Sequence, residues 1–283
     1  MSYANPDSLV STERLARHLN APDLRVVDAT WYLPSQGKSG RAEYEARHIP
    51  GAVFFDLDEI ADTDSDLPHM LPTPEKFAAR VRKLGLGDGN RIVVYDQHGL
   101  MSAARVWWMF RVFGHKDVAV LDGGLPKWTA EGRPTEDRPP QPRERHFTAR
   151  YNNLMVRDRE QLKGNLASRQ EQVVDARAAG RFAGTEPEVW PGRRSGHIPG
   201  SFNVPYTDLL DGKTKTLLPG EAIAVRFRKA GVDLARPIVT SCGSGVTAAV
   251  LAFGLHLIGR NDVALYDGSW AEWGRPGDTP VET

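Results

Sequence analysis

The sequence repeats itself once, and this internal repeat restricts the possible folds more than any other feature. Four stretches of the first half return in the same order in the second half: "LRVVDATWYL" (24–33) as "EQVVDARAAG" (171–180), "EARHIPGAVFFDL" (45–57) as "RSGHIPGSFNVPY" (194–206), "RIVVYDQHGLMSAARVWW" (91–108) as "PIVTSCGSGVTAAVLAF" (237–253), and "VLDGGLPKW" (120–128) as "LYDGSWAEW" (265–273). Chance could produce one shared HIPG turn, but not four landmarks in register. We therefore predict two homologous domains.

Each half alternates short β-branched runs with helical patterns. The runs "RVVDA", "IVVYD" and "VAVLD" have the counterparts "QVVDA", "IVTSC" and "VALYD". "PEKFAARVRKLGL" and "GEAIAVRFRKAGV" have the spacing of amphipathic helices that a glycine ends. Near-continuous apolar strands between helices predict an α/β fold, with a mainly parallel sheet and helices on both faces in each domain. We place the domains at residues 1–133 and 151–283, joined by a proline-rich, charged linker at 134–150.

The composition excludes several classes of protein. Of the 283 residues, 40% are hydrophobic and 25% are charged, which is enough apolar content for a folded core. The formal net charge is zero, which argues against a nucleic-acid partner. The N-terminus has no basic region followed by an apolar run, and no apolar stretch is long enough to span a bilayer. A single cysteine cannot form an internal disulfide, so we expect a cytoplasmic protein.

That single cysteine, Cys242, lies where a strand changes into a helix. The strand "PIVTS" precedes it, "GSGVTA" follows it, and a helix is predicted to begin at about Val246. Gly243 and Gly245 allow successive backbone N–H groups to curl inward, and the positive end of the helix faces the same loop. Such surroundings stabilise a thiolate. The sequence therefore predicts a reactive cysteine rather than a buried structural one.

The first half contains the same loop without the sulfur. When the two halves are aligned, Asp96 occupies the position of Cys242. A carboxylate cannot act as the same nucleophile. We therefore predict that the first domain is inactive and that the chemistry belongs to the second.

Three familiar nucleophile chemistries do not fit the loop. A cysteine phosphatase needs an arginine six positions after its cysteine to bind phosphate, but residue 248 is alanine. A nucleophile elbow needs glycines two residues before and after the nucleophile, and the residues there are Thr240 and Ser244. A dithiol oxidoreductase needs a second cysteine. What remains is a thiolate that accepts a group and passes it on by itself.

Together these motifs resemble the two-domain rhodanese superfamily. The resemblance rests on "CGSGVTA", "RHIPGA", "GHIPGS", "VVDAR", "GTEPE" and "YDGSWAEW", and it extends from about Leu9 to about Gly274. The loop is similar to that of the 3-mercaptopyruvate sulfurtransferases of this superfamily. The resemblance implies that Cys242 takes sulfur from a small-molecule donor as a persulfide and passes it to a thiol such as thioredoxin, or to cyanide. It implies no metal and no organic cofactor.

The resemblance also predicts how the donor is bound. Members that use thiosulfate tend to carry basic residues directly after the cysteine, whereas here Gly243 and Ser244 are neutral. The mercaptopyruvate type binds the substrate carboxylate with arginines elsewhere, and "DARAAGRF" matches Arg181 to the first of these. The second arginine is replaced by Trp190, and Arg193 is the nearest downstream candidate. The loop residues predicted to surround the substrate are Gly243, Gly245, Val246 and Thr247.

The superfamily further assigns a Ser–His–Asp relay that protonates the leaving enolate. By resemblance the serine is Ser244, and the segment "FFDLDEIADTDSDLPHMLP" of the first domain supplies His69 and Asp58. The relay would polarise Ser244 towards the substrate carbonyl. It requires the two domains to meet at the Cys242 loop.

Three alternative functions stay open at this point. The first is thiosulfate:cyanide sulfur transfer by the same cysteine. The second is a non-catalytic persulfide carrier that stores sulfur for another enzyme. The third is an anion-binding module with an inert cysteine. The sequence does not indicate an oligomeric state.

Overall fold

The chain forms two parallel five-stranded sheets. The computed structural model describes residues 2–283. The first sheet has the order β1-β5-β4-β2-β3 and the second the equivalent order β6-β10-β9-β7-β8, with every pair of neighbours parallel. The strands are β1 (Leu9–Val10), β2 (Leu24–Asp28), β3 (Val53–Phe54), β4 (Arg91–Tyr95), β5 (Val118–Leu121), β6 (Val156–Arg157), β7 (Gln172–Asp175), β8 (Phe202–Asn203), β9 (Ile238–Ser241) and β10 (Ala264–Tyr266).

Helices cover both faces of each sheet, which confirms the predicted α/β class. They are α1 (Thr12–His18), α2 (Gly40–Ala46), α3 (Leu57–Ile60), α4 (Pro74–Lys83), α5 (Ser102–Val112), α6 (Gly124–Ala130), α7 (Arg159–Ser168), α8 (Ala179–Phe182), α9 (Gly220–Lys229), α10 (Ala248–Leu257) and α11 (Ser269–Trp273). One apolar cluster fills the outer face of each sheet, and a larger cluster joins the two inner faces. No helix within residues 2–283 has the length and apolar character needed to cross a membrane.

Local sequence explains why the two predicted amphipathic helices form. In α4 the side chain of Thr73 accepts the N–H of Lys76, and Pro74 begins the helix, where its missing N–H costs nothing. The buried side chains of α4 include Phe77 and Val81, which are four residues apart and so lie on one face. Helix α9 repeats the buried pair with Ile223 and Phe227, but no side chain caps its beginning. These helices cover the inner faces of the two sheets.

After each sheet the chain returns to the HIPG turn of its own domain. His48 exchanges two backbone hydrogen bonds of 2.9 Å with Glu136, and His197 pairs with Glu282 in the same way. The segment 134–150 therefore runs along the first domain, and it buries Phe147 completely in the shared core. We keep the divisions 1–133, 134–150 and 151–283 as a proposal.

The domains meet through helices α5 and α10. All ten residues of α10 are buried, as are all residues of α5 except Arg111. The rings of Trp107 and Phe253 meet edge to face at 4.8 Å between the helices. The beginning of the chain also crosses to the second domain, where Ala4 donates to the carbonyl of Leu257 at 2.7 Å. The two domains thus share one continuous core.

Each domain also sends a loop across the interface, and we call these the crossing loops. Residues 58–71 of the first domain cross to the second, where the N–H of Leu71 donates to Asp267 at 2.7 Å. In the opposite direction residues 210–218 of the second domain cross to the first, where the N–H of Leu217 donates to Asp122 at 2.9 Å. The first crossing loop therefore brings first-domain residues to the carboxyl ends of the second sheet's strands, where ligands of such sheets bind.

Candidate active site

Cys242 follows the central strand β9 directly. It is a free cysteine with only 2% of its surface exposed. Its backbone is held on both sides, because its N–H donates to the hydroxyl of Ser269 at 3.2 Å and its carbonyl accepts the N–H of Trp270 at 2.9 Å. The backbone position from which the thiol projects is therefore fixed at the end of the strand.

The loop after Cys242 leaves its backbone donors free. None of the five N–H groups of residues 243–247 donates to an acceptor anywhere in residues 2–283. The backbone turns at Gly245, whose φ of 79° is readily adopted only by glycine. Because Val246 and Thr247 form a turn, α10 begins at Ala248, two residues later than predicted. Free N–H groups at the positive end of a helix make this loop an anion-binding site.

The equivalent loop of the first domain contains its own anion. The carboxylate of Asp96 accepts the N–H groups of His98, Met101 and Ala103 at 2.9, 2.7 and 2.8 Å. The first two of these residues align with Ser244 and Thr247. The first domain thus supports the prediction that this loop binds negative charge.

The three residues predicted to form a relay lie in a chain of contacts. The Nδ1 atom of His69 is 2.9 Å from the hydroxyl of Ser244, across the domain interface. Its Nε2 atom is 3.2 Å from a carboxylate oxygen of Asp58. His69 and Ser244 are buried, whereas the side chain of Asp58 is 66% exposed. This arrangement allows a proton to pass between Ser244 and His69.

Two tryptophans surround the imidazole of His69. The indole N–H of Trp31 donates to both carboxylate oxygens of Asp58, and its ring meets His69 edge to face at 4.6 Å. Partial desolvation raises the pKa of Asp58, but the hydrogen bonds from His69 and Trp31 outweigh it and the net pKa is lowered. The ring of Trp190 packs against the imidazole, with 5.8 Å between the ring centroids. Asp58 is therefore held as a carboxylate that orients His69.

Arg181 reaches the Cys242 loop. A Cβ atom placed on Gly243 would lie 3.1 Å from Nη2 of Arg181 and 3.4 Å from the indole nitrogen of Trp190. Nε and Nη2 of Arg181 donate to Glu188 at 3.2 and 2.6 Å, which leaves Nη1 for a ligand. Glu188 also accepts from the buried Arg177. Glu188 thus orients Arg181 beside the loop.

Arg193 makes only an indirect contact with the loop. Its Nε donates to the carbonyl of Ala271 at 2.8 Å, and Nη1 donates to Pro191. Ala271 in turn donates its N–H to the carbonyl of Gly243 at 2.7 Å. Arg193 therefore supports the segment that covers the loop, and no bond brings its guanidinium to the cysteine.

Comparison with known proteins assigns the family. Residues 11–131 and 158–275 each match the rhodanese-like domain. The chain belongs to the rhodanese-like family. This confirms the predicted resemblance and the tandem arrangement of two such domains.

The relatives of this rhodanese-like chain are sulfurtransferases. It is 47% identical to the 3-mercaptopyruvate sulfurtransferase of Homo sapiens, with 97% of this chain and 95% of the relative covered. It is 44% identical to thiosulfate/3-mercaptopyruvate sulfurtransferase 1, mitochondrial, of Arabidopsis thaliana, over 100% of this chain and 80% of the relative. The crystal structure of SseA from Escherichia coli, a 3-mercaptopyruvate sulfotransferase with the rhodanese fold, superposes with a TM-score of 0.86. That comparison has 39% identity and covers 94% of this chain and 99% of SseA.

Sequence reasoning missed three buried polar residues of this rhodanese-like site. Arg105 on α5 donates to the carbonyl of His69 and to Asp267, both at 2.6 Å. Ser269, which holds the N–H of Cys242, has a left-handed φ of 48°. A signal for Ser269 was present, because the repeat places Gly124 at its position. Arg105 gave no such signal, since the residue at its position in the repeat is Leu251 and its own helix is largely apolar.

The arrangement suits group transfer by sulfur. A buried thiol begins a loop whose free N–H groups can stabilise negative charge, a cation lies beside that loop, and a hydroxyl hydrogen-bonded to a histidine can donate a proton. Within residues 2–283, no three His, Cys, Asp or Glu side chains are grouped so that they could hold a metal ion.

Proposed function

We propose that this protein is a sulfurtransferase that moves sulfur from 3-mercaptopyruvate to a thiol or cyanide acceptor and releases pyruvate. The sulfur travels as a persulfide on Cys242. The observation that carries the proposal is the pair of equivalent loops: the Asp96 loop binds a carboxylate with the same N–H groups that stay free around Cys242. The names of the relatives supply the class of donor.

In the first step the thiolate of Cys242 attacks the sulfur of the donor. A sulfur–sulfur bond forms, and the bond between that sulfur and carbon 3 of mercaptopyruvate breaks. The electron pair of the broken bond moves onto the ketone as an enolate. The thiol proton of the donor leaves the new persulfide, and the N–H groups of the loop stabilise the resulting anion.

The enolate then needs one proton on carbon to become pyruvate. Ser244 is suited to donate to the ketone oxygen, because His69, oriented by Asp58, lies within hydrogen-bond distance of its hydroxyl and can relay a proton to it. Ser244, His69 and Asp58 would thus stabilise the leaving group, whereas Cys242 performs the covalent chemistry.

The charges around the loop favour a donor with one carboxylate. Arg181 is the cation beside Gly243, and Glu188 already takes two of its donors. Trp190, next to it, offers a neutral N–H group. A dianion such as thiosulfate would need a second cation close to the cysteine. This balance supports 3-mercaptopyruvate as donor.

In the second step an acceptor thiolate, or cyanide, attacks the outer sulfur of the persulfide. The sulfur–sulfur bond breaks, and its electron pair returns to Cys242 as a thiolate. The product is an acceptor persulfide or thiocyanate. Nothing in this step requires the relay, because the leaving group is a stabilised thiolate.

We propose thioredoxin-type thiols as the protein acceptors and a cytoplasmic location. One relative is mitochondrial by name.

The test is steady-state sulfur transfer to cyanide with 3-mercaptopyruvate and with thiosulfate. We expect kcat/KM to favour 3-mercaptopyruvate by about 100-fold, which corresponds to about 2.7 kcal/mol of transition-state stabilisation. Mass spectrometry should find one extra sulfur atom on the protein after donor alone, and none on Cys242→Ser. A protein that forms no persulfide with either donor would contradict the proposal.

Thiosulfate:cyanide sulfur transfer is the second candidate, because one relative carries both activities in its name. Equal or higher kcat/KM with thiosulfate would favour it. A persulfide carrier would instead load once and release no further pyruvate. The two candidates thus differ in donor preference and in turnover.

A further inference from the structure

We infer that Arg105 is a positioning residue for the relay histidine, acting across the domain interface together with Asp267. This inference rests on the proposed function, because it concerns the protonation step of that reaction. Arg105 belongs to α5 of the first domain and Asp267 follows β10 of the second. Their ion pair of 2.6 Å is buried, with side-chain exposures of 0% and 5%.

The backbone at His69 needs external support. Its φ of 61° lies in the left-handed region, which costs a residue with a side chain about 1 kcal/mol or more. The imidazole nevertheless must face Ser244 with one nitrogen and Asp58 with the other. A histidine in this backbone conformation keeps that direction only if its neighbours fix it.

The pair holds the backbone directly after His69 at two points. Nη2 of Arg105 donates to the carbonyl of His69, and Asp267 accepts the N–H of Leu71 two residues later. Because Arg105 and Asp267 bind each other, the two anchors form one rigid unit. The guanidinium also lies over the ring of Trp108, at 4.5 Å from its centroid, which prevents it from turning.

The same arginine touches the cysteine loop. Its Nη1 points at the carbonyl of Gly245 from 3.5 Å, and a Cβ atom on Gly245 would lie only 2.8 Å from Nη1. Because Gly245 has no side chain, Arg105 can pack directly against the loop. Arg105 thus contacts both His69 and the loop that carries Ser244 and Cys242, and it fixes their positions relative to each other.

The repeat provides an internal control for this function. The second crossing loop has the same carboxylate anchor, since Asp122 accepts the N–H of Leu217, and Lys215 repeats the left-handed backbone with a φ of 58°. The residue at the position of Arg105, however, is Leu251. The carboxylate anchor is common to both loops and is structural. The arginine is present only where the crossing loop carries the relay histidine.

The experiment compares the two half-reactions in matched variants. Arg105→Leu copies the other domain but leaves Asp267 as an unpaired buried charge, so it is combined with Asp267→Asn, whose oxygen still accepts the N–H of Leu71. Pyruvate release from 3-mercaptopyruvate reports the step that uses the relay. Transfer of a preformed persulfide to cyanide reports the step that does not. Leu251→Ala is the control for a destabilised interface.

We expect the double variant to lower kcat for pyruvate release by about 10- to 100-fold, as misplaced catalytic groups do. Its rate of persulfide transfer to cyanide should stay within about twofold of wild type. Adding His69→Ala should bring the total loss only to that of His69→Ala alone, because both changes remove the same contribution. Leu251→Ala should lower thermal stability and leave the ratio of the two rates unchanged.

Three results would overturn the inference: a wild-type kcat in the double variant, an equal loss in both half-reactions, or a full additional loss on adding His69→Ala. If the double variant does not fold, Arg105→Lys decides, since it keeps the ion pair. We expect it to lower pyruvate release several-fold with unchanged cyanide transfer, and an unaltered kcat there would also overturn the inference. A wild-type protein that forms no persulfide would overturn the proposed function itself, before any variant is compared.

Discussion

The loop after β4 and the loop after β9 follow equivalent central strands, yet only the first contains its own anion. In the first loop the carboxylate of Asp96 takes three backbone N–H groups. In the second the thiol of Cys242 leaves the N–H groups of residues 243–247 free. The comparison shows that the loop geometry is not specific to sulfur chemistry. In the first loop these N–H groups bind the carboxylate of the residue after the strand, and in the second loop the residue at that position leaves them free.

The two crossing loops differ in the same way. His69 and Lys215 share a left-handed backbone, and each loop is anchored on a carboxylate of the opposite domain. His69 contacts Ser244, whereas the side chain of Lys215 packs near Gly99 of the first-domain loop. One crossing loop therefore reaches the loop that carries Cys242, and the other reaches the loop that carries Asp96.

A third pair of positions separates the domains by charge. Asp175 at the end of β7 is neutralised by Arg177 at 2.7 Å. At the equivalent positions of the first domain, Asp28 has Thr30 instead of an arginine. Burial raises the pKa of Asp28 to about 6, against the opposing hydrogen bonds from Thr30. The first domain thus holds a buried acid without a cation, whereas in the second domain the equivalent acid is paired with Arg177.

The largest effect is expected from making the second loop a copy of the first. Cys242→Asp should abolish sulfur transfer, because no thiolate remains. It should also raise the free energy of unfolding by about 1–2 kcal/mol, since the new carboxylate would take the free N–H groups. Cyanide-coupled turnover and urea denaturation measure the two effects. Cys242→Ser is the control, and an aspartate variant less stable than the serine variant would contradict the comparison.

Removing the internal anion of the first loop should have the next largest effect. Asp96→Ala leaves three N–H groups without an acceptor and should destabilise the protein by about 3 kcal/mol. Asp96→Asn keeps one acceptor oxygen and should lose roughly half as much. At temperatures where both variants are folded, persulfide formation should match wild type. A loss below about 1 kcal/mol for Asp96→Ala would mean that the carboxylate does not hold the loop.

Alanine substitution at the left-handed residue of each crossing loop should distinguish the roles of the two loops. His69→Ala should lower kcat for pyruvate release about 100-fold, within the range of general acid–base catalysis. Lys215→Ala, at the matching left-handed position, should change kcat by less than about twofold. Initial rates of pyruvate formation measure kcat for both variants. Similar losses in both variants would show that His69 acts only through the packing of the interface.

The last expected effect, from Asp28, concerns stability alone and depends on pH. The pKa of Asp28 in the folded chain, about 6, exceeds its usual 3.8, so the protonated carboxyl favours folding and this contribution is lost as pH rises through about 6. Asp28→Asn should therefore stabilise the protein by about 2–3 kcal/mol at pH 7.5. The gain should vanish towards pH 4. Thermal unfolding at both pH values measures it. Asp175→Asn should instead destabilise, because it removes one of the two carboxylates that pair with the buried Arg177.

The sequence allowed much of this fold and part of the site to be predicted. The repeat defined two domains, and the alternation of β-branched runs with helical patterns defined the parallel sheets. Strand, glycine and helix are contiguous around Cys242, so its loop could be predicted from local rules. The pairing of His69 with Ser244 came only from the family resemblance, because the two residues are 175 positions apart.

The remaining contacts depend on how the domains meet, which no periodicity in the chain encodes. Arg105 and Asp267 are 162 positions apart. The sequence around Arg105 predicts only a helix, and the sequence around Asp267 predicts only the end of a strand. The start of α10 was predicted two residues early, because Val246 and Thr247 have helix-compatible composition but complete the turn that begins at Gly245. The role of Asp96 as the loop's own anion needed the coordinates of its hydrogen bonds.

The packing of α5 against α10 has an evolutionary consequence. Because the same helix of each half lies on the other, and each half sends the same loop across, the contact is isologous, as in a twofold symmetric dimer. A single half would expose an apolar helix and would need a second copy to cover it. In such a homodimer every mutation would appear in both sites at once. Joining the copies in one chain lets each position vary separately, so one half can keep the cysteine while the other becomes its dedicated support.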